Sequence, residues 1–373
     1  MLPLEPLDIA GTFAPTYAVA RARFKDAARA AGGTLDAHVH DSHRGPDGGE
    51  IAIDVARFGP EKAETVFMAI CGTHGLEGYC GSPVLIDWMR TGGAKRLPKG
   101  VGALLVHAIN PWGFAHNSRT TESNVDLNRN FVDHEGGKRP ENAGYATLHD
   151  AICPAEWSDA SRAAYERAAL ATAKEKGEGF LIDSLFRGQY AHPDGVFYGG
   201  TKREWSNRKL EEICGTHLKH ARRVGVLDWH TGIGKPGEPV ILTFNTAGDG
   251  LYEQVCSWWG KDFVDAGLFV KGVPRPRYTG LVFQGVQQFA KHAQVAGAVI
   301  EFGTKVERMD TFHALRLDVW LKFKAPKGDP RRAAFETEVR EAFSLSDPGW
   351  QRMVLGQARL LHEQMVQGLG RWR

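Results

Sequence analysis

The sequence predicts an α/β fold, a single β-sheet covered by helices on both faces. Five short apolar runs rich in Val, Ile or Leu each end in a Gly-, Pro- or Asn-containing turn, as buried strands do. Helical patterns lie between these runs, which places helices on either side of one sheet. No repeat, low-complexity tract or Pro/Gly-rich linker interrupts the 373 residues, so one domain spanning 1–373 is expected.

In chain order, an amphipathic helix is expected around residues 17–31, then strands at 66–71 (VFMAIC) and 103–109 (ALLVHAI). Residues 134–190 are polar and rich in Ala and Glu, and read as a helical insertion at one edge of the sheet. Its clearest helix starts at Ser158 as N-cap and stops at Gly177. Strands follow at 224–229 (VGVLDW), 240–244 (VILTF) and 298–302 (AVIEF). Residues 349–369 repeat apolar positions at helical spacing and form a closing helix.

Composition narrows the function. With 46 Lys+Arg against 44 Asp+Glu, the formal charge of +2 gives no electrostatic reason to expect nucleic acid or an anionic membrane as partner. A small peptide or other small molecule is the expected ligand, and the oligomeric state is left open. Five cysteines form no CxxC pair and no even-numbered framework, which argues against a disulfide scaffold and for a reducing compartment. The opening residues lack a basic segment and a long apolar run, so a cytoplasmic location is expected. Glycine, 44 residues or roughly 12% against a norm of about 7%, points to many constrained turns.

Ionisable residues collect where the apolar runs end, the place at which open α/β sheets hold ligands. The first run leads into GTHGLEG, with His74 and Glu77 three residues apart, a spacing that lets an imidazole and a carboxylate reach one metal ion. The glycines at 72, 75 and 78 let backbone crowd that turn. The second run leads to NPWGFAHNSRTTESNVDLNRNF, a polar loop carrying Arg119, Asp126 and the pair Asn128–Arg129. The run VLDWHTG delivers His230 at a strand end, and VIEFGT sets Glu301 inside an apolar run, where a buried carboxylate needs a cation. Each feature alone has an ordinary alternative: an exposed helix-start pair, solvated loop arginines, a structural histidine. His38, His40, His43, His107, His116, His134 and His149 are too scattered along the chain to suggest a second metal site.

Taken together, the order H-x-x-E, R, D-x-N-R-N, strand-end H, Y and strand-end E resembles the zinc carboxypeptidase (carboxypeptidase A-like) metallopeptidase superfamily. GTHGLEG, NPWGF and PDGVFYGG resemble most a bacterial branch near the succinylglutamate desuccinylase and aspartoacylase relatives. The resemblance runs from about Val66 to Thr304 and leaves the terminal helices and the 134–190 insertion outside its motifs. It implies a single mixed sheet of the phosphorylase/hydrolase-like, zinc carboxypeptidase type, one Zn2+ per chain, and a hydrolase cleaving an amide bond next to a free carboxylate. By the same resemblance His74, Glu77 and His230 are the metal ligands, and Asp126 orients the first histidine. Arg119 polarises the scissile carbonyl, Asn128 and Arg129 grip the substrate carboxylate, Glu301 is the general base, and Tyr278 is the mobile tyrosine. Arg119 lies only nine residues before Asn128, closer than in digestive carboxypeptidases and nearer to the deacylase relatives. An N-acyl amino acid deacylase or esterase on the same site, or a non-catalytic zinc- or ligand-binding relative, are the competing readings.

Overall fold

The computed structural model describes residues 6–137, 139–270, 272–304 and 308–373. Its strands are β1 (Thr34–Val39), β2 (Ala52–Phe58), β3 (Thr65–Cys71), β4 (Val101–His107), β5 (Arg223–Pro236), β6 (Pro239–Thr243), β7 (Phe269–Val270), β8 (Val273–Pro274) and β9 (Gln294–Gly303). Seven of them form one mixed sheet in the order β1-β2-β4-β3-β5-β9-β6, and β7 and β8 pair separately. The inner neighbours β4, β3, β5 and β9 run parallel, while β1, β2 and β6 are added antiparallel at the flanks.

All five expected strands form, and two more precede them. β2 is buried but interrupted by Asp54 and Arg57, and β1 is mostly exposed, so neither carries a continuous apolar run. Asp54 tolerates burial because Arg21, on the helix Tyr17–Ala30, meets it with Nε at 2.6 Å and Nη2 at 3.2 Å. On the inner strands side chains alternate between two cores. Phe67, Ala69, Leu227, Trp229, Ile300 and Phe302 face the helices Tyr17–Ala30, Gly78–Arg90 and Pro348–Arg371. Met68, Ile70, Val224 and Val226 face the helices Trp205–His217 and Val282–Phe289.

The 134–190 segment is helical as expected, with helices at Ala143–Ile152, Asp159–Lys176 and Glu178–Phe186. Ser158 caps the second through a reciprocal bond with Ser161, and the chain leaves it at Gly177 with φ +90°, a conformation glycine adopts without a Cβ penalty. These helices share a third apolar cluster with Phe312, Leu315 and Trp320 of the helix Arg308–Phe323. Buried Arg316 ties the two units, donating to the carbonyls of Ile152 at 2.8 Å and Ala151 at 2.9 Å. All five cysteines are free and buried. Among the described residues no helix is long and apolar enough to cross a membrane.

Candidate active site

The site lies at the carboxyl ends of β3, β5 and β9, and strand register decides which residues meet there. β5 and β9 are paired so that His230 stands opposite Glu301, and Cys71 of β3 stands opposite Trp229. Because side chains alternate, His230 and Glu301 point to one face, away from Trp229 and Phe302. Beyond Cys71 the chain turns through Gly72, at φ +68°, into a short 3-10 turn Gly75–Glu77 and the helix Gly78–Arg90. That turn carries His74 and Glu77 over the end of β5.

Gly75 makes the close approach possible. A Cβ on it would fall 2.1 Å from the carbonyl carbon of Gly113 and 2.3 Å from the amide nitrogen of Phe114. The amides of Gly75 and Leu76 donate to the carbonyls of Arg119 and Ser118, both at 3.0 Å, so this contact also positions Arg119. Gly75→Ala must push the two backbones apart. It is expected to cost about 2–3 kcal/mol and to weaken metal binding, readable by urea unfolding and metal titration of the same preparation.

Glu77 is the centre of the cluster. Its Oε1 is 3.0 Å from His74 Nδ1, and its Oε2 is 2.9 Å from His230 Nδ1 and accepts the Thr231 amide at 3.1 Å. The two Nδ1 atoms are 3.1 Å apart. Each imidazole turns its other nitrogen to a buried aspartate: His74 Nε2 is 3.1 Å from Asp126 Oδ1, and His230 Nε2 is 2.9 Å from Asp228 Oδ2. Metal ligation through the two Nδ1 atoms would leave the Nε2 side of each ring to its aspartate, which can orient the imidazole. Thr73 Oγ1 holds Asp228 at 2.9 and 3.0 Å. Sequence reading missed Asp228; the clue was its place two residues before His230, on the same face of a strand.

Arg119 enters the same cluster. Its Nη1 donates to Glu77 Oε1 at 2.9 Å, its Nε and Nη2 to Asp126 Oδ2 at 3.3 and 3.2 Å, and Nη2 lies 2.9 Å from His74 Nε2. Burial pushes the Glu77 carboxyl up, but the charges and hydrogen bonds of His74 and His230 outweigh it and hold it below the ordinary carboxylate range. Asp126 is likewise held well below its ordinary value, burial being overcome by His74, Arg119 and Arg129. Burial disfavours a charged His230, yet Asp228 and Glu77 raise it well above the ordinary histidine value. Metal ligation needs both imidazoles neutral, and the buried carboxylates of Glu77, Asp126 and Asp228 around them suit a bound cation. Two imidazole nitrogens and a carboxylate converging in a buried place are also the donor set of a catalytic zinc ion, so the residues fit the metal.

One pocket opens over the cluster and brings together every remaining candidate but Asp126, which lies beneath it. His74, Arg119, Asn128, Arg129, Tyr278 and Glu301 all line it. Arg129 is 3% exposed and pairs with no carboxylate among the described residues. Its Nη1 and Nη2 donate to the carbonyls of Asn128 at 2.7 Å and Phe186 at 2.6 Å, its Nε makes no hydrogen bond among the described residues, and its guanidinium lies 5.1 Å from the ring centres of both Phe197 and Tyr278. Asn128 Oδ1 accepts the Val282 amide at 2.9 Å, which seats the Asp126–Asn130 turn on the helix Val282–Phe289. Most of the remaining lining is apolar and includes Phe186, Phe197, Phe244, Phe312 and Leu315. Sequence reading left these out, and Phe186 belongs to the insertion that carried no motif.

No curated protein sequence matches the chain. Among solved structures it is similar to carboxypeptidase A from Helicoverpa armigera, at 11% identity and a TM-score of 0.43, over 88% of this chain and 73% of that one. It is similar to bovine thrombin-activatable fibrinolysis inhibitor at 11% identity and a TM-score of 0.42, over 94% and 99% of the two chains. A glutaminyl cyclase from an Acidobacteriales bacterium matches at 12% identity and a TM-score of 0.41, over 97% and 91%. These are distant likenesses, and the reading of the site rests on its own geometry. The family match spans the N-terminal helix, the 134–190 insertion and the site alike: residues 13–357 fit the pattern of the family described as protein of unknown function (DUF2817), and the chain belongs to it.

Proposed function

We propose that this chain is a metal-dependent hydrolase of the carboxypeptidase type, which cleaves an amide bond next to a free carboxylate in a small peptide or N-acyl amino acid. The observation that carries the reading is a pocket lined by His74 over three converging metal-ligand side chains, with a carboxylate opposite His230 in the strand register and a buried guanidinium, Arg129, that forms no salt bridge among the described residues.

His74, Glu77 and His230 hold the metal, with zinc as the ion that suits two imidazoles and one carboxylate. When bound, such an ion supplies Lewis-acid polarisation and a water of lowered pKa. Glu301 takes the proton of the attacking water and passes it to the departing nitrogen. Asp126 and Asp228 hold the two imidazoles in the tautomer and orientation that ligation requires. Arg119, braced by Glu77 and Asp126, places positive charge beside the position where the carbonyl oxygen gains negative charge. Asn128 and Arg129 receive the substrate carboxylate, and the Tyr278 ring covers the guanidinium from the pocket side. An anionic substrate would give the Arg129 guanidinium the direct carboxylate partner that none of the described residues supplies.

The test compares free-acid and C-terminally amidated forms of one active substrate. Charge-assisted hydrogen bonds are worth about 1.5–3 kcal/mol, so amidation should lower kcat/KM on the order of 10²-fold. Arg129→Ala should slow the acid much more than the amide. Because the readout is a ratio, it is insensitive to any fraction of protein lost through the bonds from Arg129 to the Asn128 and Phe186 carbonyls. Equal rates for acid and amide on the wild-type protein would retire the carboxylate clamp.

A further inference from the structure

Folding gathers a second histidine cluster away from the pocket. His40 follows β1, is 3% exposed, and stacks on Trp205 with ring centres 4.3 Å apart and planes 25° from parallel. Trp205 is itself anchored, its indole nitrogen donating to Asp41 Oδ2 at 3.2 Å. The His40 ring is therefore held in one orientation, and its Nε2 is buried with no hydrogen bond among the described residues. Glu122 Oε1 lies 3.4 Å from that nitrogen. The His43 ring stands nearly perpendicular to His40, 5.0 Å away, and one donor atom from each of His40, His43 and Glu122 lies within 4.8 Å of the other two.

Two ligands of a tetrahedral ion with bonds of about 2.0–2.1 Å stand about 3.3 Å apart, so the contact between His40 and Glu122 has the separation of co-ligands. Two imidazoles and one carboxylate are again a transition-metal donor set. Charge points the same way. Buried Glu204, which accepts from Thr121 Oγ1 at 3.0 Å, adds a second carboxylate beside the same loop.

We propose that His40, His43 and Glu122 form a second site for a divalent transition-metal ion of the zinc type, separate from the active-site ligands. Glu122 sits between Arg119 and Asp126 in sequence, so an ion held here ties the loop carrying both to the end of β1. In the metal-free ring His40 Nδ1 faces the amides of Ser42 at 3.4 Å and His43 at 3.3 Å, which leaves the proton on Nε2. The ion takes the place of that proton, which moves to Nδ1, and the two long amide contacts are given up.

The experiment counts zinc per chain on the full-length protein after saturation and desalting. Wild type should hold two equivalents, His74→Ala/His230→Ala one, and His43→Ala/Glu122→Gln one. His43 and Glu122 are only partly buried and His40 is left intact, so the last variant should keep its fold, which thermal melting verifies. Zinc affinity of the second equivalent, titrated in the His74→Ala/His230→Ala background, should fall at least about 100-fold when His43→Ala/Glu122→Gln is added. The proposal is overturned if His43→Ala/Glu122→Gln holds as much zinc as wild type, or if the His74→Ala/His230→Ala protein holds none. An unchanged count in the His74→Ala/His230→Ala variant alone would instead remove the active-site assignment, so the two failures are distinguishable.

Discussion

Glu301→Gln is expected to keep fold and metal while lowering kcat by roughly 10³-fold, equivalent to about 4 kcal/mol of transition-state stabilisation. Glutamine preserves the volume of a side chain that is 8% exposed and fixed in the sheet opposite His230, so packing and register should not change. The amide cannot take a proton from water at neutral pH, and the step that passes a proton to the leaving nitrogen is lost with it. If Glu301 acts at the reacting centre and Arg129 in carboxylate binding, as proposed, the effect should fall on kcat with little change in KM. Steady-state kinetics on the variant, with metal content and circular dichroism of the same sample, checks this. A variant as active as wild type would sink the general-base role.

Removal of two ligands should have an effect of similar size by another route. His74→Ala/His230→Ala is expected to lose one equivalent of zinc relative to wild type and all measurable turnover. Glu77 and Asp126 would then keep Arg119 as partner, but Asp228 would lose its imidazole and rely on Thr73. On the proposed ligand set, each substitution removes one of three donor groups, the third being the Glu77 carboxylate. Metal analysis beside an activity assay decides the matter. Chelation of the wild-type protein should abolish activity and zinc addition should restore it, an outcome the variant cannot reproduce. If the double variant retains the wild-type zinc content, these histidines are not the ligands.

Much of the site was legible because its residues sit where strong local signals end. An H-x-x-E pair after a buried strand, a histidine at the end of VLDWH and a glutamate inside AVIEF are each visible without knowledge of the fold. Asp228 was equally present, but a lone acidic residue in a strand looks like an interruption until its neighbour two positions on is known to need a partner. The apolar wall was less legible still. Phe186 lies in a polar, Ala- and Glu-rich segment with no motif, and only its packing against Phe312 and Phe197 turns it toward the pocket.

The sequence by itself determined the buried strands, the helices around them and the chemistry gathered at the strand ends. Burial on both faces demands continuous apolar runs, and burial on one face of a helix demands a period near 3.6, so both are written in adjacent residues. Tertiary structure alone decided what required distance between remote residues. His74 and His230 are 156 positions apart, yet their Nδ1 atoms meet at 3.1 Å because β3 and β5 pair in one register. It decided that Glu122 turns to His40, and that His40 and His43 converge with Glu122 although the histidines read as scattered. It also added β1 and β2, whose exposed or charge-broken patterns carry no strand signal until neighbours supply the missing partners. Local periodicity records how deeply a segment is buried; which side chains share that burial is set by sheet register and loop path, which no short stretch of chain contains.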